Sequence, residues 1–287
     1  STAGTNQFFV GGNFLMDHDG GKDIQIETKN QGEIAVTGDF TIDWDGSSSS
    51  SKEINIATED YSTIDVDGSF SVNMNDPNNG EIHFELKDQS SIEVGVDNGS
   101  LAEAADITLA NGSSFDLELN HDATFEVFGN LDLIQNGNNE LYVHLNQSND
   151  GSSDDAQLIV DGNLTINKAD GDEVQIYLQN DADITVGGNL DMDFSGFDGG
   201  WYHAEIQLEN NAAITSLGNL SVDMNATNHN SLIFDLDHTS AITVGVNDGS
   251  LSKSAAINVL DGYQLIFELD RDSKFQVYGD FNNTYNS

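Results

Sequence analysis

The chain of 287 residues has no cysteine, a single proline (Pro77) and only 8 Lys+Arg against 50 Asp+Glu, for a formal net charge of −42. Each shortage excludes something. Without cysteine there is no disulfide framework and no thiolate metal site. Without a basic patch, so negative a surface repels phosphate backbones and anionic headgroups, which removes nucleic acid and membrane binding from the expected partners. No apolar run approaches the ~18 residues of a membrane-spanning helix, so membrane insertion is not expected either. Residues Ser1 to Gln7 carry neither the basic start nor the apolar core of a signal peptide, which reads as a soluble, mature or excised segment. A helical period is missing throughout; Leu101 to Ala105, with its copy Leu251 to Ala255, is expected to form a single turn at a corner.

What the chain does have is 37% hydrophobic residues, enough for a core, and 28 glycines, many of them at regular positions. The segments starting at Val10, Val36, Val66, Val127, Val160, Val186, Ser216 and Val277 share the pattern V-x-G-[NDS]-[LF], with Ser216 replacing the valine. Their glycines are Gly12, Gly38, Gly68, Gly129, Gly162, Gly188, Gly218 and Gly279. The differences between successive numbers are 26, 30, 61, 33, 26, 30 and 61, so the series that opens at Gly12 restarts at Gly162. Laid over each other at that offset, Ile92 to Asn130 and Ile242 to Asp280 are identical at 16 of 39 positions. The double interval between Gly68 and Gly129 holds a variant unit, Ile92 to Leu101, copied at Ile242 to Leu251. The chain therefore divides into a first module over residues 1–150 and a second, continuous with it, over 151–287, whose last unit is incomplete.

Inside each unit the period is two. Ile24, Ile26 and Thr28 alternate with polar residues, as do Ile82, Phe84 and Leu86, and Val174, Ile176 and Leu178. Such alternation makes a strand with one face to a core and one to water. Clusters of Gly, Asn, Asp and Ser at Asp45 to Ser51, Asn75 to Gly80 and Asn146 to Asp155 separate the strands. Strands at a fixed repeat of about 30 residues predict an all-β fold, a parallel β-solenoid (β-helix) of about ten coils, with a sandwich or propeller as the rival. The recurring glycine then marks a close backbone approach, the Asn or Asp after it (Ser69 is the exception) stacks as a ladder, and the next Leu or Phe enters the core.

Candidate chemistry is sparse. Asp17 and Asp19, Asp43 and Asp45, and Asp170 and Asp172 place two carboxylates one residue apart, which suits Ca2+ with its six to eight oxygen ligands, and an acidic chain relieves self-repulsion by taking up divalent ions. Neither an EF-hand loop nor the glycine-aspartate nonapeptide is present. His18, His83, His121, His144, His203, His229 and His238 share no metal-ligand spacing and are expected at exposed polar positions. Paired carboxylates also serve glycoside cleavage, but enzymes that cut acidic polysaccharides need cations at the cleft, and Arg271 with Lys274 is the one local cluster. Trp44, Trp201, Tyr202 and Phe197 are expected in or beside loops, either folded over the coil or exposed to stack on sugars or fill a partner's pocket.

The units Gly162 to Ile166 and Gly188 to Met192, with their Gly-Asn-Leu start, resemble the repeats of filamentous-haemagglutinin-type exoproteins and related bacterial surface adhesins. That resemblance implies an extracellular, cell-surface location and an adhesive or scaffold role. The expected function is a non-catalytic structural protein: part of a filament, sheath or adhesin stalk that stacks end to end on itself or on neighbouring repeats of a longer chain, with cell-surface glycans as a further partner. The alternative is a carbohydrate-binding or polysaccharide-cleaving module on the same scaffold.

Overall fold

The computed structural model describes residues 6–19, 23–45, 52–75, 80–97, 104–109, 114–136, 139–146, 155–168, 173–194, 203–224, 231–246, 253–260 and 264–286. These residues form an all-β parallel solenoid, with no helix among them. The chain runs in turn through three sheets, here A, B and C, of ten, ten and nine strands. One circuit consists of Thr63–Val66 in sheet A, Phe70–Asn75 in sheet B and Glu81–Leu86 in sheet C; the next circuit lays Ser91–Val94, Ala104–Leu109 and Ser114–Asn120 on top in parallel register.

The registers in sheet A mark where each circuit begins and ends. Val10, Val36, Val66, Val94, Val127 and Val160 stack in one column. The column continues through Val186, Ser216, Val244 and Val277, in the same succession of shorter and longer circuits. The double interval between Gly68 and Gly129 is thus two ordinary circuits, one from Val66 to Val94 and one from Val94 to Val127. In the variant unit the corner after Val94 turns at Gly95, whose φ of 92° lies in the left-handed region that favours glycine, and its copy Gly245 does the same at 79°.

The alternation in the sequence becomes an inside and an outside. In the circuit that starts at Thr63, Ile64, Val66, Phe70, Val72, Met74, Ile82, Phe84 and Leu86 all point inward and are fully buried. Each such side chain contributes roughly 1.5–3 kcal/mol relative to exposure. Equivalent residues meet between circuits: the rings of Phe14 and Phe40 stack at 4.7 Å and those of Phe40 and Phe70 at 4.9 Å. A side chain in this core is therefore covered from above and below by its own counterparts.

Two sequence expectations are corrected. Ala104 and Ala105 lie in the strand Ala104–Leu109, with Ala105 paired to Phe70 and Leu131, and Ala255 lies in Lys253–Leu260; neither forms a corner turn, while 101–103 and 251–252 lie outside the described residues. Trp44 is not a loop aromatic. It follows Phe40 and Ile42 at period two in Phe40–Asp45 and is buried in the core, whereas Phe197, Trp201 and Tyr202 lie outside the described residues.

Candidate functional site

Three kinds of surface could do chemistry or binding: the corners, the outer sheet faces and the two ends. The corner between sheets A and B carries the Gly-Asn motif. The Asn189 backbone N–H donates to Asn163 Oδ1 at 2.8 Å and the Asn219 N–H to Asn189 Oδ1 at 2.9 Å, and the same bond joins Asn163 to Asn130 at 2.8 Å and Asp39 to Asn13 at 3.1 Å. The side chain of one coil thus satisfies the backbone of the next. This ladder explains the glycine before it. A Cβ on Gly162 would stand 2.4 Å from Asn130 Oδ1 and one on Gly188 2.4 Å from Asn163 Oδ1, whereas a Cβ on Gly12, in the first coil, would meet nothing within 4 Å.

At the corner between sheets C and A, pairs such as Asn30–Gln31, Asp60–Tyr61, Asn180–Asp181 and Asn210–Asn211 have φ near +60°. Asn and Asp tolerate this conformation better than most residues. Backbone bonds between coils occupy this corner too, the Gln31 N–H donating to the Asp60 carbonyl and the Asp181 N–H to the Asn210 carbonyl, both at 2.9 Å, while the corner between sheets B and C lies largely outside the described residues.

The carboxylate pairs expected to bind calcium sit on the outside of sheet B. Asp17 lies in Phe14–His18 and is paired in register with Asp43 in Phe40–Asp45, and Asp19 is exposed just beyond the strand. Asp43 Oδ1 accepts a hydrogen bond from Asn73 Nδ2 at 2.9 Å and Asp45 Oδ1 one from Asn75 Nδ2 at 3.1 Å. Asp17 and Asp43 are thus neighbours on a strand face; Asp170 and Asp172 lie outside the described residues. Stacking also crowds charge on sheet A, where Asp65, Glu93 and Glu126 occupy one column. Burial first, then Glu93 and other nearby carboxylates, pushes Asp65 and Glu126 up from the ordinary range. Asp183 is pushed up to about 6, mainly by burial and then by Asp155.

Sheet C gathers residues that are one or two whole circuits apart in the chain. In one outer column His83, Asp116 and Tyr142 lie side by side; in the next, Glu85, Glu118 and His144. His83 Nδ1 is 3.3 Å from Asp116 Oδ2, a bond that raises the histidine pKa despite partial burial. His144 Nε2 meets Gln175 Oε1 at 3.0 Å and its ring stacks on Tyr142 at 5.2 Å. Tyr142 donates to Glu173 Oε2 at 3.2 Å, and its pKa is pushed up to about 12 by burial and by Glu173. Three sets of donors on this face come within 4.8 Å of one another: His83, Glu85 and Glu118; Asp116, Glu118 and His144; and Glu173, His203 and Glu205. None of them includes Asp17, Asp19, Asp43 or Asp45, and His229 lies outside the described residues. The histidines give no signal in the sequence because a search for short ligand spacings cannot see partners a full circuit away.

The ends are the third surface. Among inward-pointing residues, Phe8 is 53% exposed in the first strand of sheet A, while its counterpart in the second module, Leu158, is 1% exposed. At the other end Phe281 is 46% exposed and Leu269 51%, while their counterparts Leu131 and Leu119 are fully buried. Among the described residues the buried positions have a coil on both sides and these have one on a single side only. No family model, curated protein or solved structure matches the chain.

Proposed function

We propose that this chain is a non-catalytic structural protein of the cell surface, a segment or subunit of a filament, sheath or adhesin stalk that extends by stacking coil on coil across its ends. The observation that carries the reading is the join between the two modules. There Thr124–Val127 pairs with Gln157–Val160 in sheet A, and Leu131 to Gln135 pairs with Leu164 to Lys168 in sheet B. In the second module the counterpart of the lower half of that join is Lys274–Val277 with Phe281; in the first module the counterpart of the upper half is Gln7–Val10 with Phe14. A second copy set on the first in this register would place Phe8 on Phe275, Val10 on Val277 and Phe14 on Phe281. The Asp280 carboxylate would accept from the Asn13 N–H as Asn130 does from Asn163. The fold thus contains a template for its own continuation, and among the described residues the terminal strands of sheets A and B each leave one edge unpaired, as such a contact requires.

An acidic exterior supports an extracellular setting, since exposed carboxylates hold water and cations, as does the resemblance of the Gly-Asn-Leu units to surface exoproteins. Two chains of charge −42 repel each other end to end, so stacking needs screening, which at 0.15 M salt limits the repulsion to about 8 Å. Sedimentation velocity at that ionic strength tests the reading. The chain should sediment as a concentration-dependent series of multiples, and Phe8→Asp should collapse the series to one species with unchanged circular dichroism. A single species for the unaltered chain at all concentrations would overturn it.

A further inference from the structure

We infer that the outer face of sheet C holds a site for one divalent transition ion, such as Zn2+, formed by Asp116, Glu118 and His144, with His83 holding the second oxygen of Asp116. This goes beyond the structural reading and does not depend on it. Glu118 belongs to two of the three donor sets, His83–Glu85–Glu118 and Asp116–Glu118–His144. The two sets overlap on neighbouring strands, so Asp116 and Glu118 from the central strand Ser114–Asn120 are flanked by His83 on one side and His144 on the other. Each donor is fixed by the sheet: strands lie about 4.8 Å apart and alternate residues share a face.

Three further observations favour an ion here. Asp116 Oδ1 is buried and has no hydrogen-bond partner, although Oδ2 faces His83. An unpaired carboxylate oxygen is costly, and a cation relieves the cost. The His144 ring is oriented by Tyr142 and by the Gln175 amide at Nε2, the kind of outer support that leaves the other ring nitrogen, Nδ1, to a metal. Glu85 is tied to Lys87, which leaves Glu118 as the carboxylate of that triad that Lys87 does not hold. The donor set also selects the ion: an imidazole with two carboxylates suits Zn2+, Co2+ or Ni2+, while Ca2+ takes oxygen ligands only.

The test uses the full chain in millimolar Ca2+, which occupies nonspecific acidic positions, titrated with Co2+ for its visible absorption and with Zn2+ by calorimetry. One equivalent should depend on Glu118: Glu118→Gln and His144→Asn should each weaken that equivalent at least tenfold. His203→Asn, in the separate set with Glu173 and Glu205, should leave it unchanged, and circular dichroism should match the parent throughout. All three substitutions lie on the outer face, outside the core. The absence of saturable binding in excess Ca2+, or binding to which Glu118→Gln and His144→Asn make no difference, would overturn the proposal.

Discussion

The join between the modules and the two ends of the solenoid use the same sequence positions with opposite results. At the join, Phe125, Val127, Leu131, Leu158, Val160 and Leu164 are closed off by coils on both sides; at the ends Phe8 and Phe281 face outward along the axis into solvent. Phe275, the counterpart of buried Phe125, is only partly buried because few atoms lie beyond it. In this architecture a coil does not own its core. Part of what surrounds each inward side chain belongs to the coil above or below, so stability grows by adding neighbours and is weakest at the last one. The same lesson applies to polar groups: the Asn ladder satisfies a backbone N–H that belongs to the next coil, and the glycine exists to make room for it.

The widest gap between join and ends is expected from a charge in the core. Phe125→Asp, which buries a carboxylate between two coils, should cost about 4 kcal/mol or more and abolish the cooperative thermal transition, whereas Phe8→Asp should change the melting temperature little. Similar losses for both would mean that the ends are already covered. The glycines give a second contrast. Gly162→Ala forces a methyl group against Asn130 Oδ1 and the Gly129 carbonyl and should cost about 2 kcal/mol, while Gly12→Ala, with open space in front of it, should be within about 0.5 kcal/mol of the parent by denaturant titration.

The outer faces respond to pH. Asp65, Glu81, Glu126, Asp183, Asp191 and Asp235 all have pKa values raised in the folded chain, chiefly by burial. A carboxylate whose folded pKa is raised binds its proton more tightly when folded. Its contribution is fully present below the ordinary carboxylate pKa and is lost as pH rises through the folded value, about 6 for Asp183. His83, also raised, acts in the same direction at higher pH. The melting temperature should therefore be a few degrees higher at pH ~5 than at pH ~7.5, and Asp183→Asn should remove part of that difference; a melting temperature that rises with pH would contradict the assignment. The smallest effect belongs to the ladder. Asn189→Ala, which leaves the Asn219 N–H without its acceptor, should cost about 1 kcal/mol, whereas Asp280→Ala, with no coil above it, should cost nothing measurable in the monomer.

Much of this architecture is legible in the sequence because a solenoid writes its geometry locally. The period of two in Ile82, Phe84 and Leu86 fixes which side faces inward, and the Gly-Asn-Leu units mark one corner of each turn. Even the double interval after Gly68 carries information, since it marks a circuit whose corner uses Gly95 in place of the motif. What is not legible depends on registers between coils. Trp44 reads as a loop residue beside the polar run after Asp45, yet it is the third inward position of its strand. His83, Asp116, Glu118 and His144 look scattered until two successive circuits bring them to adjacent strands. The carboxylate pairs near Asp17 and Asp43 are visible in the sequence, but as neighbours on a strand face and not as a loop cradle.

Whether the ends stack on one another is decided by negative-stain electron microscopy of the pure chain at physiological salt, with and without millimolar calcium. The ten stacked strands of sheets A and B, at ~4.8 Å each, predict unbranched filaments one solenoid wide, with an axial repeat of about 48 Å. Isolated rods of that length under every condition, at concentrations where end contacts should form, would contradict it.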